Sequence, residues 1–564
     1  MRVPSGPGAP RGRQAPRGRA GLGRLLTLAA LAVVPVLALG LFFVVPVSGM
    51  LARGLVVDGV VDPGAVLEVL GRPRVHRVLW FTAWSASAAT ALAVLLGLPA
   101  AYVLYRLDLP LRRLLRALLL VPFVLPTVVV GVAFKQLLRE SGPLGFLGLE
   151  ESAVAIVLGL AFFNVSVVIR VVGGAWESLD PRPGEAAAAL GASPRQVFRT
   201  VTLPALRPAI VSAASVVFLF CASGFGVVLT LGGLRWSTVE TEIYLLTTNL
   251  LDLQAAAALS ILQLVVVSVL LALSARLRAV PGGASRVVAR PRPVRRGDWP
   301  WLGATAVLLV YVGAPIATLV AGSLRVDGAW SLGNYRALGT AGSEQALLVP
   351  VTEALANSVR VAVDATWMAL LLGGLVALVV TRRSRGRAER RVRGALDAFF
   401  MLPLGVSAVT VGFGFLVTLG RGPVDLRDSA LLVPIAQALV ALPLVVRTLA
   451  PVLAGIDDRQ RQAAASLGAG PLRTLVTVDL PVVWKPLLAA AGFAFAVSLG
   501  EFGATSFLAR EDRPTVPVVI FRLIGHPGAM NYGMALAASV VLAATTALVM
   551  LAVERLRVGS VGAF

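Results

Sequence analysis

The sequence predicts an all-α integral membrane protein with twelve transmembrane helices, arranged as two tandem six-helix repeats. The chain of 564 residues is 57% hydrophobic and only 14% charged, a composition typical of membrane proteins. Its apolar residues fall in runs of about twenty, the length that a helix needs to cross a bilayer. A long segment of the first half also recurs, without a gap, 277 residues later. Recurrence over this length indicates an internal duplication.

Each apolar run is interpreted as one spanning helix. In the first half the runs lie near residues 25–48, 79–104, 115–137, 153–174, 208–232 and 254–275. In the second half they lie near residues 301–322, 358–381, 396–419, 430–453, 486–508 and 533–554. The predicted divisions are a disordered basic tail (1–24), a first repeat (25–275), an Arg/Pro-rich linker (276–299), a second repeat (300–555) and a C-terminal tail (556–564).

The charges predict how the chain is oriented. Its net charge is +22, and the arginines lie in short runs between apolar spans, as at 276–298 and 382–393. This distribution indicates cytoplasmic loops and cytoplasmic termini, by the positive-inside rule, rather than a nucleic-acid-binding surface. Acidic loops are expected on the outer side, and one of them contains Glu240, Glu242 and Asp252.

An even number of spans in each half makes the two halves parallel repeats. Such repeats are related by an axis along the membrane normal, so a translocation path is expected at their interface. The heavy use of Ala, Gly, Val and Arg suggests a GC-rich bacterial genome. The predicted location is therefore the bacterial cytoplasmic membrane.

The most distinctive part of the repeat is an alanine-rich stretch that ends in glycine. It reads Glu-Ala-Ala-Ala-Ala-Leu-Gly over 185–191 and Gln-Ala-Ala-Ala-Ser-Leu-Gly over 462–468. A Leu-Pro pair follows twelve residues after each glycine. Alanine favours a helix, glycine ends one, and the prolines at 194 and 471 suit the start of another. The stretch is therefore predicted to form a short helix, a turn and a second helix between two spans.

This pattern resembles the cytoplasmic EAA loop of ABC-importer permeases, and two copies resemble a fused permease with a type I ABC importer fold. The resemblance implies a coupling helix that sits in a groove of an ATP-binding subunit. It also implies two such subunits and an extracytoplasmic substrate-binding protein as partners. The first copy matches fully, whereas Gln462 replaces Glu in the second. The implied ATPase-coupling residues are Asp180, Glu185, Ala186, Ala187, Gly191, Leu203, Pro204, Asp457, Gln462, Ala463, Ala464, Gly468, Leu480 and Pro481.

No catalytic group is predicted, and the chain is not expected to be an enzyme. A Walker A motif requires a lysine after glycine, but the two lysines, Lys135 and Lys485, follow Phe and Trp. ATP hydrolysis is therefore assigned to a separate subunit. The histidines, His76 and His526, and the single Cys221 lack the spacing of metal ligands, so neither a metal nor a cofactor is expected.

Candidate residues of the translocation path lie inside the spans. Glu501 is an intramembrane acid whose repeat partner is Gly224. Such residues are costly and usually functional, and Glu501 is either a counter-charge for a cationic substrate or a structural or gating group. Prolines can kink spans and expose carbonyl groups, and the resemblance implies that such helices line the path. The remaining candidates are Pro126, Pro403, Phe225 and Phe502.

The resemblance covers residues from about 75 to 555 and fits two groups of fused permeases, for thiamine and for iron(III). The pattern over 225–233 and 238–244, with the Phe163-Asn164 pair, is more similar to the thiamine group. An iron(III) permease therefore stays as the alternative. A proton-coupled secondary transporter, which also has twelve spans in some families, is a less favoured reading because it needs no ATPase. An exporter or a scaffold for another ATPase is the remaining rival.

Overall fold

The computed structural model describes residues 30–57, 59–233, 235–277, 291–381, 387–419, 426 and 428–556. The described chain is almost entirely helical. The predicted basic tail (1–24), nearly all of the C-terminal tail (556–564) and part of the predicted linker lie outside the described residues.

Among the residues that the structure describes, eleven helices form the first half. They are α1 (Ala30–Leu55), α2 (Pro63–Gly71), α3 (Pro73–Arg106), α4 (Arg112–Val124), α5 (Thr127–Leu138), α6 (Ala153–Glu177), α7 (Arg182–Ala189), α8 (Pro194–Ala222), α9 (Gly226–Leu231), α10 (Val239–Thr248) and α11 (Leu253–Leu277). Five-residue π turns interrupt α1 at Gly40–Val44 and α8 at Phe198–Thr202.

The second half repeats this order. Its helices are α12 (Trp299–Ser323), α13 (Gly333–Ala337), α14 (Val351–Thr381), α15 (Arg387–Phe400), α16 (Ala408–Thr418), α17 (Leu432–Ala454), α18 (Asp458–Ser466), α19 (Leu472–Leu499), α20 (Thr505–Leu508), α21 (Val516–Gly525) and α22 (Ala529–Leu556). A π turn interrupts α19 at Leu475–Asp479. Short 3-10 turns lie at Gly145–Leu147, Arg296–Asp298, Ser343–Gln345 and Leu402–Gly405.

A two-stranded hairpin follows the first helix of each half, and the sequence did not indicate either hairpin. After α1, β1 (Val56–Val57) pairs antiparallel with β2 (Val60–Val61). After α12, β3 (Arg325–Val326) pairs antiparallel with β4 (Ala329–Trp330). The structural repeat therefore begins at the first helix of each half.

The duplication is visible in the helix bounds. The offset of 277 residues converts Leu203–Ala222, the long part of α8, into Leu480–Leu499, the long part of α19. It also converts the bounds of α10 into those of α21. The two halves thus share their backbone plan, which confirms the predicted internal repeat.

Ten helices among the described residues are long and apolar enough to cross a membrane, and a bent pair makes eleven. That pair is α4 and α5, which meet at an angle of 102°. Leu125 between them is extended, with ψ of 136°, as expected for a residue that precedes a proline. The predicted ninth span, 396–419, is divided into α15 and α16 by the 3-10 turn that contains Pro403.

Two predicted spans extend too far towards their C-termini. The predicted spans 208–232 and 486–508 end as helices at Ala222 and Leu499, and the short helices α9 and α20 follow. Glycine allows these breaks to pack closely: a Cβ added to Gly226 would lie 2.4 Å from Thr127 Oγ1 and 3.1 Å from Val128 N. An apolar run alone cannot distinguish such a break from a continuous span.

Small residues hold the long helices together within each half. A Cβ added to Gly97 in α3 would lie 2.8 Å from Val168 in α6, and one added to Gly373 in α14 would lie 2.6 Å from Val445 in α17. Buried alanines continue both stripes, at Ala89 and Ala93 in α3 and at Ala365 and Ala369 in α14. Small residues allow close approach where lipid offers no hydrophobic driving force.

The first helix of each half packs against the opposite half. In α1, Phe42 lies 6.4 Å from Phe415 of α16 between ring centroids, and a Cβ added to Gly414 would lie 3.2 Å from Pro46. In α12, the Tyr311 hydroxyl donates to the carbonyl of Leu158 in α6. The two halves are therefore interlocked as well as in contact.

Candidate functional site: coupling loops and translocation path

The first alanine-rich loop folds as the short helix α7, followed by a glycine turn. Asp180 Oδ1 accepts a hydrogen bond of 3.0 Å from the Arg182 backbone N–H at the start of the helix. At its end Gly191 adopts φ of +88°, and Ala192 N–H donates to the carbonyl of Ala187 over 3.0 Å. This is a Schellman turn, whose left-handed residue is usually glycine.

The second loop, built on α18, has the same backbone. Asp457 Oδ1 accepts from the Arg459 N–H over 3.0 Å. Gly468 adopts φ of +81°, and Ala469 N–H donates to the carbonyl of Ala464 over 3.0 Å. The replacement of Glu185 by Gln462 leaves this geometry unchanged, because both side chains are exposed.

The Leu-Pro pairs lie where a π turn passes into a long α-helix. Pro204 has no N–H and would leave a carbonyl without its helical donor. The preceding π turn shifts the pattern, and Leu203 N–H donates to the carbonyl of Phe198 instead. Leu480 and Pro481 repeat this arrangement after the second π turn, Leu475–Asp479. The pairs therefore set how each loop joins its long helix.

The tip of each loop exposes one large apolar side chain that the sequence analysis did not select. Leu190 is 89% exposed and Leu467 is 87% exposed, each directly before the turn glycine. A Cβ added to Gly191 or Gly468 would meet nothing within 4 Å. In the sequence, the signal for both leucines was their position directly before the turn glycine.

The two loops are braced by different contacts. The Phe198 ring, in the π turn after α7, lies 6.3 Å from Trp176 and 5.7 Å from Trp301 between ring centroids. In the second loop Arg461 Nε lies 2.8 Å from Asp479 Oδ1, and Asp479 is only 3% exposed. Neither brace has its counterpart in the other loop, since Leu475, Gly184 and Thr202 occupy the equivalent positions.

A cavity of about 280 Å³ lies between the two halves. The first half contributes aromatic and polar groups to its wall, and the second half contributes the segment after α19 and the start of α16. Its lining residues include Phe123, Pro126, Phe163, Asn164, Phe220, Phe225, Glu240, Ser407, Phe493, Gly500, Glu501 and Phe502. The described residues that line this cavity include no lysine, arginine or histidine.

Four of the five candidate path residues meet at this cavity: Pro126, Phe225, Glu501 and Phe502 line it. Pro403 does not line it, but the 3-10 turn that contains Pro403 leads to Ser407, which does. A proline turn thus positions the lining segment without reaching the cavity itself.

Phe225 and Phe502 are equivalent in the repeat and stack on each other between the halves. Their ring centroids are 5.3 Å apart, with an interplanar angle of 29°. Phe502 also borders a second cavity of about 220 Å³, together with Tyr244, Arg522 and His526. The stacked pair is therefore part of the wall that separates the two cavities.

Glu501 caps the short helix α20. Its carboxylate accepts hydrogen bonds from the N–H groups of Ala504 and Thr505 over 2.8 and 3.0 Å and from the Thr505 hydroxyl. Thr505 in turn accepts from Gln437 Nε2 over 3.1 Å. These contacts favour the structural reading of Glu501 over the counter-charge reading.

The prediction of an acidic outer loop was wrong for Glu240 and Glu242. Glu240 and Glu242 lie in α10 and are 0% and 1% exposed. Glu242 forms a bidentate ion pair with Arg74, which neutralises the charge of Glu242. Glu240 accepts from Gln263 Nε2 and, over 3.1 Å, from the Ser407 hydroxyl of the other half. Its repeat partner is Pro517, so an acid at a position that is apolar in the other repeat was the missed signal.

Comparison with known proteins identifies the family. The family described as "Binding-protein-dependent transport system inner membrane component" matches residues 93–279 and 369–557, one segment in each half. The chain belongs to this family. It is a fused permease of an ABC importer, a multi-pass inner-membrane transport subunit and not an enzyme. Membership implies ATP-binding subunits and a substrate-binding protein as partners, and it decides against the secondary-transporter reading.

Curated relatives resemble the permease over most of its length. The "Thiamine transport system permease protein ThiP" of Brucella abortus (strain 2308) is 28% identical over 467 residues, 80% of this chain and 82% of the relative. The protein of that name from Escherichia coli (strain K12) is 28% identical over 463 residues, 79% and 83% of the two chains. The "Molybdenum transport system permease protein ModB" of Mycobacterium tuberculosis (strain ATCC 25618 / H37Rv) is 38% identical over 226 residues, 38% of this chain and 83% of the relative.

Proposed function

We propose that this permease takes up thiamine across the bacterial cytoplasmic membrane. The observation that carries the proposal is the similarity to relatives named as thiamine permeases, which spans about four fifths of both chains. The molybdenum permease is more similar in identity but matches only 38% of this chain. Iron(III) is the alternative substrate.

The cavity supports an organic cation as the substrate. Its described lining offers carboxylate, amide and hydroxyl oxygens with several phenyl rings, which suit a positively charged ring. An oxyanion such as molybdate would need cationic or multiple N–H donors there. Iron(III) would need several oxygen or nitrogen ligands, and the carboxylate of Glu501 is already engaged as a helix cap.

We also propose that each EAA loop binds one ATP-binding subunit, so that two subunits dock on the cytoplasmic side and both termini face the cytoplasm. The proposed contact residues are the fourteen coupling positions together with Leu190 and Leu467. Their support is the matched geometry of the two loops, whose exposed leucines precede left-handed glycines. A substrate-binding protein would dock on the opposite face.

The route from coupling to transport follows two long helices. α8 runs from the first loop to the cavity wall at Phe220, and α19 runs from the second loop to the wall at Phe493. Each helix of 28 or 29 residues spans roughly 43 Å at 1.5 Å per residue. Closure of the ATP-binding subunits would move both loops, and the helices would carry this movement to Phe225 and Phe502. Separation of that stacked pair would connect the cavities.

Uptake into reconstituted vesicles tests the substrate. The permease, its ATP-binding subunit and its binding protein would be supplied with labelled thiamine, iron(III) or molybdate in separate assays. ATP-dependent uptake of thiamine alone is the expected result. Uptake of iron(III) or molybdate in place of thiamine would overturn the substrate while leaving the importer intact. Thiamine uptake that needs a proton gradient and no ATP would contradict the coupling mechanism.

A further inference from the structure

Glu240 is a buried carboxylate without a cationic partner among the described residues. No ion pair involves it, whereas Glu242, two residues later, is paired with Arg74 at 2.5 Å. The contacts of Glu240 are with the Gln263 amide and the Ser407 hydroxyl, and neither of these groups carries a positive charge. A carboxyl that is buried without a cation favours its neutral form, whereas a nearby cation favours the ionised form. A cation bound in the cavity would therefore gain Glu240 as its counter-charge.

A second group in the same cavity also lacks a partner. Asn164 is 1% exposed and lines the cavity. Its Nδ2 donates to the Leu160 carbonyl over 2.9 Å and contacts Cys221 Sγ at 3.3 Å. Its Oδ1 has no hydrogen-bond partner in the described part of the chain. A buried acceptor without a donor is unfavourable, and a ligand with an N–H or O–H group would satisfy it.

Aromatic rings line the cavity beside these acceptors. Phe123 lies 5.4 Å from Phe163 and 6.5 Å from Phe220 between ring centroids. The volume of about 280 Å³ is near the lower end of the ~300–1,000 Å³ range of small-molecule pockets. Phenyl faces attract cations, and they also stack on flat rings. The cavity thus combines a buried carboxyl group, an unused acceptor and aromatic faces, in a volume that suits a small heteroaromatic ligand.

We infer that this cavity is a recognition site for a flat organic cation with a hydrogen-bond donor, in which Glu240 supplies the counter-charge and Asn164 accepts from the donor. The inference deepens the proposed function and rests on it. Glu240 lies in the wall of the cavity beside Ser407, and its charge selects the ligand. Glu501 positions α20 and does not select charge. The permease would then discriminate by charge in addition to any selection by its binding protein.

The test compares two substrates in the complete reconstituted importer. One is thiamine, and the other is an analogue in which a carbon replaces the quaternary nitrogen, so that the ring is neutral. The Glu240→Gln variant keeps the size of the side chain and removes its charge. We expect the ratio of thiamine uptake to analogue uptake to fall by about tenfold, which is a change of about 1.4 kcal/mol. Glu140→Gln, at an exposed acid, is the matched control and should leave the ratio unchanged.

The same assay separates recognition from structural damage. Complex assembly reports whether Glu240→Gln is intact, and the control Glu140→Gln should retain both assembly and basal ATPase activity. If Glu240→Gln fails to assemble, Glu240→Asp, which keeps the charge, should retain the preference for thiamine and Asn164→Leu should reduce thiamine uptake. An unchanged ratio in Glu240→Gln, or equal loss of both substrates with intact assembly, would overturn the inference. Absence of thiamine uptake by the unmodified importer would overturn the proposed substrate and the inference with it.

Discussion

The two EAA loops have the same backbone and different braces. Both end in a left-handed glycine, at φ of +88° and +81°, and both join their long helix through a π turn. The first is held by the aromatic contacts of Phe198 with Trp176 and Trp301, and the second by the ion pair of Arg461 with Asp479. The comparison teaches that the duplicated geometry depends on local turn chemistry, while each loop is held in place by unrelated contacts, one of which joins Phe198 to Trp301 of the second half. A substitution can therefore be aimed at one loop.

The largest effect is expected where the two loops are most alike. Gly191→Asp and Gly468→Asp each force a side chain into the left-handed region, which costs about 1–2 kcal/mol, and add a charge to the proposed docking surface. We expect each variant to lose co-purification with the ATP-binding subunit and to lower uptake at least about tenfold. Gly470→Asp is the control, since it adds the same charge beside the second loop without a positive φ. Normal retention and uptake in both glycine variants would contradict the docking assignment.

A smaller effect, confined to the second loop, is expected when the ion pair of Arg461 with Asp479 is removed. Asp479→Ala leaves Arg461 without its partner on the π turn, and a hydrogen bond to a charged group contributes about 1.5–3 kcal/mol. Amide hydrogen exchange should become faster over 458–466 and stay unchanged over 182–189. Equal acceleration in both loops would show that the braces are not independent.

The aromatic brace provides the reciprocal experiment. Phe198→Leu installs the residue that the second loop carries at the equivalent position, Leu475. Aromatic pairs contribute about 0.5–1.5 kcal/mol beyond the area they bury, so exchange should accelerate over 182–189 only. Leu475→Phe is the matched control in the other loop. No change in exchange at the first loop would mean that the stack does not hold it.

The smallest effect is expected at the one position where the motif itself differs. Gln462→Glu restores the first-loop residue at an exposed site, where substitutions usually change stability by less than about 0.5 kcal/mol. Uptake and retention of the ATP-binding subunit should match those of the unmodified permease, and Glu185→Gln should behave in the same way. A large change in either variant would indicate that the loops contact unlike surfaces.

The sequence predicted the loops well because their structure is encoded locally. Glycine, proline and aspartate determine turns and helix caps within a few residues. The same residues at the same spacing therefore give the same local structure. The apolar runs likewise located most spans. Hydropathy could not locate the breaks after Ala222 and Leu499, because the residues on both sides of each break are apolar.

The environment of Glu240 could not be predicted for a different reason. Its two donors lie 23 and 167 residues away in the chain, and an acid between apolar spans is normally assigned to an exposed loop. The packing of α1 against α16 was also not predicted, since the gapless duplication does not extend to the first helices. The environment of Glu240 and the packing of α1 both depend on contacts between distant segments, which no local sequence pattern predicts.

The interlocked first helices have a consequence for biosynthesis. Phe42 in α1 finds its partner Phe415 only after α16 has been made. At about 5–20 residues per second, the ribosome needs roughly 20–70 s to add the intervening chain. During that interval α1 sits in the bilayer with its future contact face turned to lipid, which is tolerated because lipid tails are as apolar as the leucines they meet. A helix from the middle of the second half therefore completes the packing of the first helix of the chain.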